Sequence, residues 1–147
     1  MYQHLLLALE FDPQAHELLQ KAYALAEQHQ AKLSVIHAVD FIPLDSNDPS
    51  GLALPAALPE QLVEKAQQQL TALLAEIPPP ASIEVSSQAT LGSARHSIIE
   101  AANELAVDLI LVGHHQPHGL GHLLGHVDES VVHHAPCDVL AVKLSAS

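Results

Sequence analysis

Residues 108–143 read DLILVGHHQPHGLGHLLGHVDESVVHHAPCDVLAVK, and this stretch decides the fold. An apolar run ends at Gly113, a loop rich in glycine and histidine follows, and residues 139–142 form a second apolar run. In α/β proteins, phosphate groups bind at a glycine loop that follows a strand and precedes a helix and a second strand. Loop amides and the helix N-terminus then face the anion, and glycine lets the backbone approach it closely. The stretch therefore predicts an anion-binding loop between two strands.

The rest of the chain alternates apolar runs with amphipathic helical segments. Strands are predicted at His4–Leu9, Lys32–Val39, Ser82–Gln88, Asp108–Gly113 and Cys137–Lys143. Helices are predicted from Asp12-Pro13 to Gln30 and at Glu60–Glu76, Ser93–Ala106 and Gly125–His134, with a long loop at Phe41–Pro59. This alternation predicts one α/β domain over residues 1–147. We expect a five-stranded parallel sheet, doubly wound and Rossmann-like, in the strand order 3-2-1-4-5.

The expected sheet also indicates where a ligand would bind. In open parallel sheets, ligands lie beyond the carboxyl ends of the strands, at the point where the strand order reverses. With the first and fourth strands flanking that switch point, the tips after Leu9 and Gly113 form one crevice. The glycine loop then lies at the same end of the sheet.

Composition narrows the class of protein. A chain of 147 residues with 48% hydrophobic residues is long and apolar enough for one folded core. No apolar run approaches the roughly 20 residues of a membrane span, and the N-terminus lacks the basic region of a secretory signal. A formal net charge of −12 disfavours nucleic-acid binding, which needs clustered Lys and Arg. We expect a cytoplasmic protein whose lone cysteine, Cys137, is a buried structural thiol.

Four segments resemble the universal stress protein family. The block from Val127 to Val142 is similar to the family's closing segment, and residues 113–116 (GHHQ) are similar to its loop. Residues 7–10 (LALE) stand where the family has an apolar pair followed by Asp, and residues 35–39 (VIHAV) resemble its second strand. The resemblance extends over nearly the whole chain. It implies a five-stranded α/β domain and a homodimer that pairs through the last strand, here Val139–Val142.

Some members of that family bind ATP and others do not. The nucleotide-binding members carry Gly, two residues, Gly, nine residues, and then Gly followed by Ser or Thr. Gly113 and Gly125 match the first and last glycines, whereas Gln116 replaces the second glycine and His126 replaces the Ser or Thr. Eight residues separate Gln116 from Gly125, so the loop is one residue shorter, and Glu10 replaces the Asp near adenine and ribose.

The glycine loop and the family resemblance together indicate where ATP or ADP, with or without Mg²⁺, would lie. Adenine would contact the backbone near Ala38, the ribose would lie near Glu10, and the phosphates would lie on the glycine loop. The candidate nucleotide-binding residues are Leu9, Glu10, Ala38, Gly113, His114, His115, Gly125, His126 and Val127.

Neither a catalytic residue nor a metal site is expected. The loop histidines are interpreted as a polar rim, because glycines interrupt the helical spacing that would bring them together; they are His114, His115, His118, His122 and His126. Three functions remain open. The chain is a stress-response or regulatory protein modulated by an adenine nucleotide, a nucleotide-free regulator of a partner such as a transporter or kinase, or a slow ATP hydrolase.

Overall fold

The computed structural model describes residues 1–40, 58–114 and 129–144. The strands are β1 (His4–Ala8), β2 (Lys32–Val39), β3 (Val85–Leu91), β4 (Leu109–His114) and β5 (Asp138–Lys143). The helices are α1 (Ala15–His29), α2 (Leu58–Glu76) and α3 (Ala94–Glu104), and residues 129–134 are also helical. Strands and helices thus alternate along the described chain.

The strands form one parallel sheet in the order β3-β2-β1-β4-β5. This arrangement confirms the predicted fold class and strand order. β1 lies at the centre, where Leu7 is level with Val35 of β2 and with Leu111 of β4. The chain builds the sheet from β1 through β2 to β3 on one side and then places β4 and β5 on the other. The strand order therefore reverses between β1 and β4, which is the switch point.

Helices cover both faces of the sheet, and this explains why the central strands are mainly apolar. Leu5 and Leu7 of β1 pack in one core with the buried residues of α1 and α2. Leu6 points to the opposite face, where it shares a second core with Ile98 of α3 and with Val131. We call the first of these the α1 face and the second the α3 face. The helical residues 129–134 therefore belong to the α3 face.

The start of α1 differs from the prediction. The helix begins at Ala15, and its N-cap residue Gln14 makes no side-chain capping bond. The Asp12 carboxylate accepts a hydrogen bond from Gln14 N (2.9 Å), and Asp12 O accepts one from Ala15 N (3.1 Å). The expectation that Asp12-Pro13 caps the helix is therefore wrong, since Asp12 closes a turn that precedes it. At the other end, Gln30 stops the helix in a left-handed conformation (φ 53°).

β3 also differs from the prediction, by three residues. The alternating pattern predicts Ser82–Gln88, but the strand is Val85–Leu91. Ile83 N donates to Pro80 O (3.2 Å), so the residues before Val85 form a turn. Ile83 and Val85 both pack against the α1-face core, as their alternation suggests. Only Val85 is in the strand, because burial alone does not require pairing with a neighbour.

The remaining boundaries shift by one or two residues. β1 ends at Ala8 rather than Leu9, β4 runs one residue later than expected, and β5 begins at Asp138. α2 begins at Leu58, because Pro59 fits the first turn of a helix, where its missing N–H costs nothing. Residues 41–57 of the predicted loop and residues 125–128 of the predicted fourth helix lie outside the described ranges.

α3 is capped at its start and turned sharply after its end. Ser93 is the N-cap residue, and its hydroxyl accepts a hydrogen bond from His96 N (3.2 Å). Two residues after the helix, Ala106 takes a left-handed conformation (φ 52°), and Val107 N donates back to Ala102 O (3.2 Å). The helix is therefore slightly shorter than the predicted Ser93–Ala106.

The two edges of the sheet are built differently. At β3, the Gln67 side chain of α2 accepts a hydrogen bond from Ala89 N (2.8 Å), so one backbone donor of that edge is already occupied. At β5, Leu140 is 43% exposed and Val139 and Val142 are half-buried. β5 is thus the last strand of the sheet on its side and carries exposed apolar surface.

Candidate functional site

The tips of β1 and β4 lie side by side at the switch point. Leu9 comes directly after β1, is 2% exposed, and donates its N–H to Ile36 O (2.9 Å). The last pair between the two strands is Leu7 with Leu111, and Leu9 and Gly113 each lie two residues beyond it. Glu10 follows and is exposed to solvent. The structure therefore brings three of the candidate residues, Leu9, Glu10 and Gly113, to one edge of the sheet.

A row of side chains on the α3 face crosses this carboxyl edge. Ile36 and Val112 belong to the α3-face core, so Ala38 and His114, two residues further along their strands, point to the same face. The strand register places Thr90 beside Ala38 and Lys143 beside His114. We call these four residues the carboxyl-edge row; in spatial order they are Thr90, Ala38, His114 and Lys143, with the tip of β1 between the middle two.

Thr90 carries a buried hydroxyl without a partner among the described residues. Its Oγ1 atom is inaccessible to solvent and makes no hydrogen bond there. The residue as a whole is half-buried, so its exposed surface comes from other atoms. A buried hydroxyl that bonds nothing costs about 1–3 kcal/mol. This group lies in register with Ala38, where a nucleobase is expected, and a ligand donor or acceptor would satisfy it after a rotation about χ1.

Lys143 brings a positive charge to the other end of the row. It is exposed and pairs in register with His114, the last residue of β4. Side chains alternate between the two faces along β5: Val139 packs with the α3-face core and Val142 with the α1-face core. The side chain of Lys143, four residues after Val139, therefore points to the α3 face. Sequence reasoning missed Lys143 and Thr90. Only the register of the sheet reveals either of them as a neighbour of a candidate residue.

On the α1 face, His37 contacts the turn that follows β1. His37 Nδ1 lies 2.7 Å from Leu9 O, and because a carbonyl only accepts, Nδ1 carries the proton of that bond. The Phe11 ring packs on the His37 ring with centroids 4.2 Å apart and an interplanar angle of 41°. These contacts fix the segment from Leu9 to Phe11, and with it the backbone on either side of Glu10.

Several candidate residues lie outside the described ranges. They are His115, Gly125, His126 and Val127, together with Gln116 and the loop histidines His118 and His122. Within residues 1–40, 58–114 and 129–144, no group of three or more His, Cys, Asp or Glu side chains could hold a metal ion. Among the helices of those same ranges, none combines the length and apolar character that a transmembrane span requires.

The amino edge of the sheet, opposite the crevice, is held by Asp108. Its carboxylate accepts hydrogen bonds from Gln3 N (2.8 Å) and His4 N (3.0 Å), and Asp108 N donates to His4 O (3.0 Å). Burial alone would raise the pKa of Asp108, but these backbone donors outweigh burial and lower the pKa below its ordinary value. Asp108 therefore fixes the start of β1 against β4 and has no part in the crevice.

The thiol of Cys137 lies just before β5. It is half-buried and packs against the α3-face core. Burial raises its pKa above the ordinary value, and the nearby carboxylates of Asp138 and Asp108 raise it further. A raised pKa leaves little thiolate at neutral pH, and the expectation of a structural thiol agrees with this environment.

A model of the universal stress protein family matches residues 1–143. The chain belongs to the universal stress protein family. This universal stress protein is 34% identical over 142 residues to universal stress protein A homolog 1 of Coxiella burnetii, an alignment that covers 96% of each chain. It is 33% identical over 119 residues to a universal stress protein A homolog of Haemophilus influenzae, which covers 79% of each.

Solved structures show the same fold. The protein described as hypothetical protein MJ0577 superposes with a TM-score of 0.76 at 23% identity and covers 100% of this universal stress protein and 99% of its own chain. A universal stress protein solved in complex with cAMP gives a TM-score of 0.61 at 21% identity, with 96% of both chains covered. At these identities the likeness concerns the fold.

Proposed function

We propose that this universal stress protein binds an adenine nucleotide, ATP or ADP, in the crevice between β1 and β4, and that the bound state modulates a regulatory role in the cytoplasm. One observation carries the proposal. The neighbouring strands β1 and β4 end at the switch point of the sheet, and the candidate residues Ala38 and His114 point to the same face at that edge.

The described residues at this edge suit the base and the ribose of an adenine nucleotide. The base lies at Ala38, beside the unsatisfied hydroxyl of Thr90. The ribose lies at Glu10, whose carboxylate would accept from a ribose hydroxyl, and the phosphates extend past Gly113 toward the glycine loop. Mg²⁺ would accompany the phosphates, since they supply the oxygen ligands that it prefers. The structure that shares this fold in complex with cAMP also holds an adenine nucleotide, which supports this class of ligand.

The proposal assigns binding and no catalytic step. Ser130 and His134, a serine and a histidine one helical turn apart, are not joined as a nucleophile and its base, since His134 Nδ1 lies 2.9 Å from the backbone oxygen of Ser130 and not from its hydroxyl. The nucleotide would therefore act as a signal whose presence alters the surface offered to a partner protein. The protein acts as a homodimer in this account, and β5 is the strand through which the copies pair.

Calorimetric titration with ATP, ADP, cAMP and GTP tests the proposal, together with mass spectrometry of any ligand released from purified protein. We expect the adenine nucleotides to bind and GTP to bind more weakly. In Glu10→Gln, the preference for ATP over 2′-deoxy-ATP should shrink, because the ribose hydroxyl then meets a neutral amide oxygen, a weaker acceptor than the carboxylate. Glu104→Gln, which changes an exposed carboxylate at the end of α3, is the matched control.

Three outcomes separate this proposal from its alternatives. Phosphate release from ATP that is lost in Gly125→Val would indicate a hydrolase. Purification without nucleotide, and no rise in thermal stability with ATP, would indicate a nucleotide-free regulator. ATP binding by Gly125→Val as tight as by the wild type would place the nucleotide elsewhere, because that side chain would block the close approach of the loop backbone.

A further inference from the structure

The hydrogen-bond ladder between β1 and β2 stops at a point where the backbone could carry it one step further. Ala8 of β1 pairs with Ile36 of β2. The next residue, Leu9, still donates its N–H to Ile36 O (2.9 Å). In a parallel ladder, the carbonyl of Leu9 would then accept a hydrogen bond from the N–H of Ala38, two residues further along β2.

A histidine side chain takes the place of that ladder bond. His37 Nδ1 lies 2.7 Å from Leu9 O and donates the proton, because a carbonyl only accepts. The side chain of His37 points to the α1 face, as does that of Val35 two residues earlier, so the bond draws the Leu9 carbonyl toward that face. The chain then leaves the sheet, and β1 ends at Ala8.

The N–H of Ala38 consequently faces the space beyond the end of β1. Alternate residues of a parallel strand direct their backbone groups to the same neighbouring strand. Ile36 O accepts from Leu9 on the β1 side, whereas Val39 O accepts from Gly92 N (2.9 Å) on the β3 side. Ala38 follows Ile36 by two residues and therefore faces the β1 side. In the described part of the chain, the pairing with β1 ends at Ile36, so this donor lies at the edge of the proposed base site.

Other contacts hold the turn after β1 in the same position. The Phe11 ring packs on the His37 ring with centroids 4.2 Å apart. Within the turn, Asp12 N donates to Glu10 O (3.1 Å), and the Asp12 carboxylate accepts from Gln14 N (2.9 Å). The turn is thus closed by its own bonds, and His37 ties it to β2.

We propose that His37 is a positioning residue of the crevice: by holding the Leu9 carbonyl, it keeps the N–H of Ala38 available to the base of a nucleotide. The inference rests on the proposed nucleotide function and extends it to a residue that does not touch the ligand. Adenine carries a hydrogen-bond acceptor at N1, where guanine carries an N–H donor. A backbone donor that is kept available at this edge therefore favours adenine over guanine.

Two substitutions of His37 separate its hydrogen bond from the packing of its ring. His37→Phe keeps a ring against Phe11 and removes the donor, whereas His37→Asn loses the ring and keeps an amide N–H close to the position of Nδ1. We expect the Ala38 N–H of the nucleotide-free wild type and of His37→Asn to exchange with solvent faster than that of Ile36, as measured by NMR. In His37→Phe it should exchange slowly, because Leu9 O then accepts it and extends the ladder.

Nucleotide titration supplies a second measurement. In His37→Phe, the affinity for ATP should fall about fivefold, the effect of one hydrogen bond, and the affinity for GTP should fall less. His37→Asn should keep most of the affinity for ATP. His134→Phe is the matched control, because His134 Nδ1 makes the same kind of bond, to Ser130 O at 2.9 Å, in another part of the fold.

The outcomes distinguish the inference from the function on which it rests. If the wild type binds ATP but its Ala38 N–H exchanges as slowly as that of Ile36, or does not respond to His37→Phe, the role of His37 alone is overturned. Equal losses of ATP affinity in His37→Phe and His37→Asn, or equal losses for ATP and GTP, also overturn it and assign the ring a structural role. The expected exchange pattern in a wild type that binds no nucleotide overturns the nucleotide function and retains His37 as the residue that ends β1. Absence of both the exchange pattern and nucleotide binding overturns both.

Discussion

The buried hydroxyl of Thr90 lowers the stability of the ligand-free protein. Because Oγ1 is buried without a partner in the described residues, Thr90→Val replaces it with a methyl group of the same shape and removes that cost. We expect the variant to be more stable by about 0.5–1 kcal/mol in denaturant unfolding without nucleotide. Thr90→Ser, which keeps the hydroxyl, is the control and should gain nothing. A destabilised valine variant would show that the hydroxyl is satisfied in solution.

Cys137 should react slowly with thiol reagents. Its pKa is raised by burial and by the carboxylates of Asp138 and Asp108, so the reactive thiolate is scarce at pH 7–8. We expect modification by a chromogenic disulfide to be slower than in the unfolded chain and to accelerate as the pH rises above the ordinary thiol range. Asp138→Asn should speed the reaction in the folded protein. Equal rates in the folded and unfolded chains would contradict this account.

At the scale of the elements, Asp108 joins the first strand to the fourth. Its pKa is lowered in the folded protein, so its stabilising effect is present above the ordinary carboxyl pKa, about 4, and is lost as the pH falls through the lower folded value. Asp108→Asn should therefore cost about 1 kcal/mol at pH 7, and the difference from the wild type should shrink below pH 4. Urea unfolding at several pH values measures this. Glu104→Gln, an exposed carboxylate, should show no such pH-dependent difference.

The elements that the sequence predicted best are those buried on both faces. β1, β2 and β4 are mainly apolar, because helices cover the sheet above and below, and the sequence predicts their bounds to within one residue. The predicted β3 begins three residues too early, because Ile83 is buried without being paired. The cap of α1 was misplaced because an aspartate before a helix can close a turn as readily as it can cap.

The sequence predicts only those site residues that are recognisable from their position relative to a predicted strand. Glu10 and His114 come directly after predicted strands and Ala38 lies near the end of one, so choosing them required no knowledge of pairing. Thr90 and Lys143 became candidates through their cross-strand partners, and the register that pairs them depends on hydrogen bonds that no local pattern encodes. The loop residues His115, Gly125, His126 and Val127, which lie outside the described ranges, stay a prediction.

At the scale of the whole molecule, the exposed edge at β5 should join two copies. An apolar edge strand with unpaired backbone groups is completed by a second edge across a two-fold axis. Leu140→Asp, on β5, should shift the protein toward the monomer in light scattering at micromolar concentration. Leu91→Asp, at the opposite edge, is a matched control because Leu91 is similarly exposed, at 52% against 43%. A wild-type monomer, or an equal effect of both variants, would contradict pairing through β5.

The Gln67 side chain has a consequence for how far such an assembly can grow. It occupies the Ala89 N–H on the outer side of β3, which is a donor that an incoming strand would need. A sheet that can pair with another sheet at only one of its two edges forms a pair and does not extend further. If two copies pair through β5 as we expect, this hydrogen bond interrupts the ladder that a third copy would need at β3. A single helix side chain in this way favours a closed pair over an open fibre.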